Sequence, residues 1–130
     1  MGLLTWIALG GALGALARYG LSGWVQGGAA GTFPWGTMVV NVLGCFLLGF
    51  AFRLLQLSTL PPALRAAVTV GFLGAFTTFS TFSLEAVGLL QEERWARAAG
   101  YVGGSVALGF AALVLGIWFA AALHRPGNVP

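Results

Sequence analysis

Apolar residues run along this chain in four long blocks, separated by short stretches rich in glycine, proline or charge. A helix needs about 20 mostly apolar residues to cross the hydrocarbon of a bilayer. The pattern predicts spans at about Leu3 to Trp24, Trp35 to Leu55, Leu64 to Leu90 and Trp95 to Leu123. The breaks are the glycine-rich run from Gly27 to Pro34, the segment Ser58-Thr59-Leu60-Pro61-Pro62, and Gln91-Glu92-Glu93-Arg94. Every loop is short, so the expected architecture is an all-α membrane protein, one four-helix domain over residues 1–130. The start of the chain has no positive cluster and reads as the first span, not as a signal peptide. The tail from His124 to Pro130 is expected to fray.

Composition supports lipid as the solvent. Only 7% of residues are charged and 58% are hydrophobic, where a soluble domain carries about 25% charged residues. The net charge of +3 comes from six arginines against Glu85, Glu92 and Glu93, and the arginines form no cluster that would hold nucleic acid. Cys45 is the only cysteine and His124 the only histidine, and there is no aspartate. An internal disulfide, a zinc site and a Ser-His-Asp arrangement cannot be assembled from this inventory, and conventional catalysis is not expected. Cys45 lies inside an apolar run and reads as a small core residue. Trp6, Trp24, Trp35, Trp95 and Trp118 fall mostly near predicted span ends, as in an aromatic belt.

With four spans, Arg53, Arg65 and Arg125 share one membrane side, and Arg18, Arg94 and Arg97 share the other. A tie of three against three gives the positive-inside rule nothing to act on. Either the chain inserts both ways, which permits an antiparallel dimer, or one arginine or the insertion machinery decides. Glycine is frequent, at 21 residues. Gly10 and Gly14 are four apart with Arg18 at the same spacing, and Gly100 and Gly104 repeat it, as close helix packing in lipid requires.

The few polar groups within the spans need a reason, because hydrocarbon penalises them. Arg18 either snorkels to the interface, draws anions into a wet vestibule, or pairs with Glu85. Asn41 shares a helical face with Thr37, and its amide either joins helices or donates to a passing anion. The third span is the most unusual: Thr77, Thr78, Ser80, Thr81 and Ser83 place five hydroxyls in seven positions, after Gly71 and Gly74. Glycine and threonine are poor helix formers, and hydroxyls compete for backbone partners, so a local break is expected. Broken backbone at membrane depth is tolerated where it is buried in protein or lines a polar cavity, and its carbonyls can hold cations. Phe79 and Phe82 share a helical face, as packing alone explains. Their positive ring edges also suit a path for a dehydrated anion.

The segment Thr77-Thr78-Phe79-Ser80-Thr81-Phe82 resembles the signature of the Fluc (CrcB) fluoride channels. The run Gly10 to Tyr19 is similar to that family's first-span motif, and Gly36 to Gly44 to its second-span motif, in the family's order. The fourth span is weakly marked, with Tyr101 and Ser105 fitting and Gly109 standing where a second hydroxyl is expected. The resemblance implies a passive fluoride channel exporting the toxic ion across a bacterial cytoplasmic (inner) membrane, built as an antiparallel, dual-topology homodimer with a broken third helix and two pores. It implies Phe79 and Phe82 as pore lining, Asn41 as side-chain donor, and Ser80, Thr81 and Ser105 as a polar track. It implies a structural sodium ion at the dimer interface on the carbonyls of Gly74 and Thr77, and charged positions at Arg18 and Glu85. Partners would be fluoride, a second copy and lipid.

Two other classes compete. A small multidrug-type, proton-coupled transporter also has four spans, but it needs an embedded carboxylate. This chain has Arg18 in its first span and Glu85 late in its third. A packing subunit of a larger complex would explain the glycines but has no need of the hydroxyl cluster.

Overall fold

The computed structural model describes residues 2–124. The tail expected to fray lies, apart from His124, outside the described residues, as does Arg125, used in the charge tie. Helix α1 runs Leu3–Gly28 and α2 Trp35–Leu57. The third span is composite: α3 Pro62–Ala66, a wide π-helical stretch Ala67–Leu73, α4 Gly74–Phe76, and α5 Phe79–Gln91. Helix α6 runs Trp95–Leu123. Four helical stretches are long and apolar enough to cross a membrane, Pro62–Gln91 counted as one. The chain is a multi-pass membrane protein by that measure.

The first span is longer than its hydropathy suggests. Gly27 and Gly28, read as loop, stay helical, because nothing crowds them and the turn is made later, at Gly31 with φ +87°. The π-helical stretch had no signal in the sequence pattern.

Packing follows backbone approach at glycine. A Cβ on Gly10 would collide with the Ala67 carbonyl, and one on Gly14 with the Phe72 carbonyl. Arg18, the next residue at this spacing, donates from Nε to the Ala75 carbonyl at 3.1 Å. One stripe of α1 thus follows the third span from its π-helical stretch to the end of α4. On the other side, α2 and α6 form the most extensive helix pair, with Gly49 against Leu113 and Gly116 against Phe46. Gly104 touches Met38, but Gly100 meets open space, so the close approach in α6 lies lower than that glycine pair suggested. Trp24, Trp95 and Trp118 are exposed, as a belt residue must be.

Candidate functional site

The third span changes backbone conformation at two threonines. Gly74 is itself helical, at φ −63° and ψ −35°, so the irregularity comes after it. Thr77 is extended at φ −83° and ψ 156°, and Thr78 at φ −146° and ψ 112°. Helix α5 then starts at Phe79, capped by Thr78, whose Oγ1 accepts from the Thr81 N–H at 3.2 Å and donates to Thr81 Oγ1 at 2.9 Å.

Asn41 holds this point. Its Oδ1 accepts from the Thr78 N–H at 2.7 Å, and its Nδ2 donates to the Thr78 carbonyl at 3.0 Å. One carboxamide satisfies both backbone groups of an extended residue, much as a neighbouring β-strand would. Gly44, one turn along α2, makes room for the Thr77 methyl, which a Cβ there would strike.

Beside this clamp is a cleft of about 280 Å³, lined among others by Asn41, Cys45, Thr77, Phe79, Phe82 and Ser105. It gathers four of the residues expected to line a path: Asn41, Phe79, Phe82 and Ser105. Ser80 and Thr81 are not part of its lining: Ser80 faces outward, and the Thr81 hydroxyl is engaged in the cap. The Phe79 and Phe82 rings lie 5.8 Å apart, tilted by 39°. Phe79 is 80% exposed. Ser105 Oγ is buried and has no hydrogen-bond partner among the described residues. A buried hydroxyl with nothing to bind is unusual and calls for a ligand or water.

On the far side of Phe82 lies a second polar group. Glu85 Oε1 accepts from Thr37 Oγ1 at 2.8 Å, and Oε2 accepts from the Tyr101 hydroxyl at 2.6 Å. Tyr101 is fully buried, one helical turn before Ser105, with its ring 5.2 Å from Phe82. Glu85 therefore belongs to a hydroxyl pair and not to Arg18, whose guanidinium caps the end of α4. Both hydroxyls are engaged by the carboxyl group, so neither faces the cleft. Tyr101 was named only as a fit to the fourth-span motif. Its role beside Glu85 needs three helices brought together and has no sequence signal.

A loop closes this end. Gln26 donates from Nε2 to the Phe33 carbonyl at 3.1 Å and accepts at Oε1 from the Gly36 N–H at 3.1 Å. Phe33 then sets its ring edge-on to Tyr101, at 5.6 Å and 85°. Arg94 and Arg97 both donate to Thr32 in the same loop.

The extended backbone at Thr77 and Thr78 leaves two carbonyls without their helical donors. The Thr78 N–H that would close onto Gly74 goes to Asn41, and the Thr81 N–H that would close onto Thr77 goes to the Thr78 side chain. Such hard, neutral oxygens suit an alkali cation, so the pair expected to hold sodium fits the ion chemically.

A family model described as CrcB-like protein, Camphor Resistance (CrcB), matches residues 5–117. The chain is 51% identical over 112 residues to the fluoride-specific ion channel FluC of Nitratidesulfovibrio vulgaris, covering 85% of this chain and 90% of that protein. It is 48% identical to the FluC of Acidobacterium capsulatum over 113 residues, 86% of this chain and 90% of that protein. It is 47% identical to the FluC of Thermus thermophilus over 117 residues, 90% of this chain and 92% of that protein.

Proposed function

This chain belongs to the CrcB family, and from that premise we propose that it is a fluoride-selective channel through which the ion leaves a bacterial cell, passively, across the cytoplasmic membrane. It is a channel and not an enzyme. The observation that carries the reading is the cleft, which Ser105, with its buried and unpartnered hydroxyl, lines together with Phe79 and Phe82. Fluoride is small and strongly hydrated, so a path must replace its water with close donors, and selectivity then follows from width and lining groups. Hydroxyls and ring edges supply such donors without fixed charge.

The working unit is an antiparallel homodimer of chains inserted in both orientations. Two features support it: the balanced arginines, and Phe79, which lines a path yet is largely uncovered in one chain. Asn41 fixes the wall of the path by holding Thr78, and Arg18 steadies the preceding half-span at Ala75. The Gly74 and Thr77 carbonyls would hold a sodium ion shared with the second copy, and that ion would supply a positive centre tying the two chains together. The names of the relatives speak for a channel over a multidrug-type transporter.

Fluoride efflux from liposomes holding the purified protein tests the function, read with a fluoride electrode. Rapid efflux with little chloride loss is expected. No fluoride flux from well-reconstituted protein overturns the reading. Cross-linking in the bilayer tests the dimer, which should capture pairs of opposite orientation and weaken when potassium replaces sodium.

A further inference from the structure

Arg97, Tyr101 and Ser105 stand four residues apart on α6, so the three share one stripe of that helix. Tyr101 is fully buried and Ser105 lines the cleft, while Arg97 lies in the first turn of α6 and is exposed. Its Nη1 donates to Thr32 Oγ1 at 3.3 Å, and the next residue of that loop, Phe33, lays its ring edge-on against Tyr101. Trp95, two residues earlier and exposed, marks this turn as the membrane boundary. The stripe of hydroxyls therefore ends in a cation where it meets water.

That cation has no acid against it. Arg94 pairs with Glu92 at 3.1 Å, whereas Arg97 has no ion pair among the described residues. Glu93, exposed in the turn before α6, pairs with neither arginine. Deeper in, an anion following the stripe passes the Glu85 carboxyl group, held by Tyr101 and Thr37. A positive charge in front of that group offsets its repulsion. Helix rise places Arg97 about 6 Å from Tyr101 along the axis and about 12 Å from Ser105. Both fall within the screening length of dilute salt, about 30 Å at 0.01 M, and beyond that of 1 M salt, about 3 Å.

We propose that Arg97 gathers anions at the mouth of the fluoride path, raising the local fluoride concentration where the stripe of Tyr101 and Ser105 meets water. A charge at the mouth of a cleft speeds the capture of a small counter-ion and leaves the lining that selects it unchanged. The proposal rests on the channel reading of the cleft.

The test is initial fluoride efflux, at low fluoride, from liposomes of zwitterionic phosphatidylcholine, with ionic strength varied from about 0.01 to 1 M. Impermeant potassium isethionate sets the ionic strength on both faces, and sodium is held constant. The lipid carries no net charge, so salt acts on the protein's own field. The quantity read is the ratio of low-salt to high-salt efflux within one preparation, which does not depend on how much protein reconstitutes. The wild-type ratio is expected to be about three, and Arg97→Gln should bring it close to one. Arg97→Lys keeps the charge and should keep the wild-type ratio. Thr32→Val removes the hydroxyl that both guanidinium groups share and keeps both charges, so it should keep that ratio too. A wild-type ratio in Arg97→Gln overturns the proposal. So does a ratio lost in Arg97→Lys or in Thr32→Val, which would assign the effect to the tie between α6 and the loop. A wild-type protein that conducts no fluoride overturns the channel reading instead, and the two failures are distinct.

Discussion

The side chain of Asn41 satisfies both backbone groups of Thr78, accepting at 2.7 Å and donating at 3.0 Å. These are the groups a helix would have used internally. The conformational change in the third span is thus supported from α2 and does not stand on the hydroxyl-rich sequence alone.

Truncation to Ala would leave the N–H and C=O of a partly buried residue unmatched, at about 1–3 kcal/mol for each lost partner. Asn41→Ala is expected to lower the thermal unfolding midpoint in detergent and to reduce fluoride efflux strongly. Asn41→Asp keeps the acceptor toward the N–H but turns an oxygen toward the Thr78 carbonyl, so it should rescue neither measure. A variant with wild-type stability would show that the backbone is held without the clamp.

Glu85 receives two hydroxyls, and the Tyr101 bond is the shorter, at 2.6 Å against 2.8 Å. Tyr101→Phe removes that donor and keeps the ring that packs on Phe33 and Phe82. The expected loss is about 1–3 kcal/mol, because the carboxyl oxygen loses its partner. Thr37→Val removes the other donor at nearly constant volume. If the two hydroxyls serve one carboxyl group, the double variant should depart from additivity by more than about 0.5 kcal/mol. Chemical denaturation in mild detergent, followed by tryptophan fluorescence, measures it.

Gly14 approaches the Phe72 carbonyl so closely that a methyl group has no place, and a backbone carbonyl cannot rotate away. Gly14→Ala should destabilise by about 1–3 kcal/mol. Gly27, also helical, has no neighbour within 4 Å, so Gly27→Ala should change stability by less than about 0.5 kcal/mol. Equal effects on the unfolding midpoint would disprove the packing assigned to α1.

The turn after α5 uses Glu93 in a left-handed conformation, φ 58°. The Arg94 N–H reaches the Leu89 carbonyl and the Glu93 N–H that of Leu90, as in a glycine-ended helix. An L-residue in this conformation carries a cost of about 1–2 kcal/mol that glycine avoids. Glu93→Gly should therefore raise the unfolding midpoint, and a lowered midpoint would refute this account of the turn.

The four spans were legible because hydropathy is set by lipid and needs no tertiary partner. The stripe of Gly10, Gly14 and Arg18 was legible for a related reason: small residues at one spacing mark a face. The partner of Arg18 was not legible, since the sequence offered Glu85 as a countercharge and only the fold brings the Ala75 carbonyl to the guanidinium. The same holds for Asn41, where an amide within a span announces a partner but does not name it. Glycine and threonine content pointed to irregular backbone in the third span after Gly71 and Gly74, and the extended residues are Thr77 and Thr78, where the available donor and acceptor sit on Asn41. Thr78 and Thr81 of the third span serve a helix cap, while Ser105 of α6 is left unpartnered among the described residues. Composition cannot distinguish these fates.

Phe82 stands between the cleft and the Glu85 group, 5.8 Å from the Phe79 ring and 5.2 Å from the Tyr101 ring. It packs against the buried cluster of Met38, Leu89, Ala98 and Tyr101, so packing alone accounts for a large apolar side chain here. What packing does not require is the ring's positive edge. Phe82→Ile separates the two roles. It is a hydrophobic swap in the core, which costs less than about 1.5 kcal/mol when volume is nearly conserved, and it removes the quadrupole entirely. The expected outcome is a folded protein, unchanged in elution from a sizing column, whose fluoride efflux falls at least about tenfold, equivalent to about 1.4 kcal/mol in the barrier. Phe82→Tyr keeps the ring and should retain most of the flux if the added hydroxyl is accommodated. Wild-type efflux in Phe82→Ile would show that Phe82 fills space and that donors to the passing ion come from the hydroxyls alone.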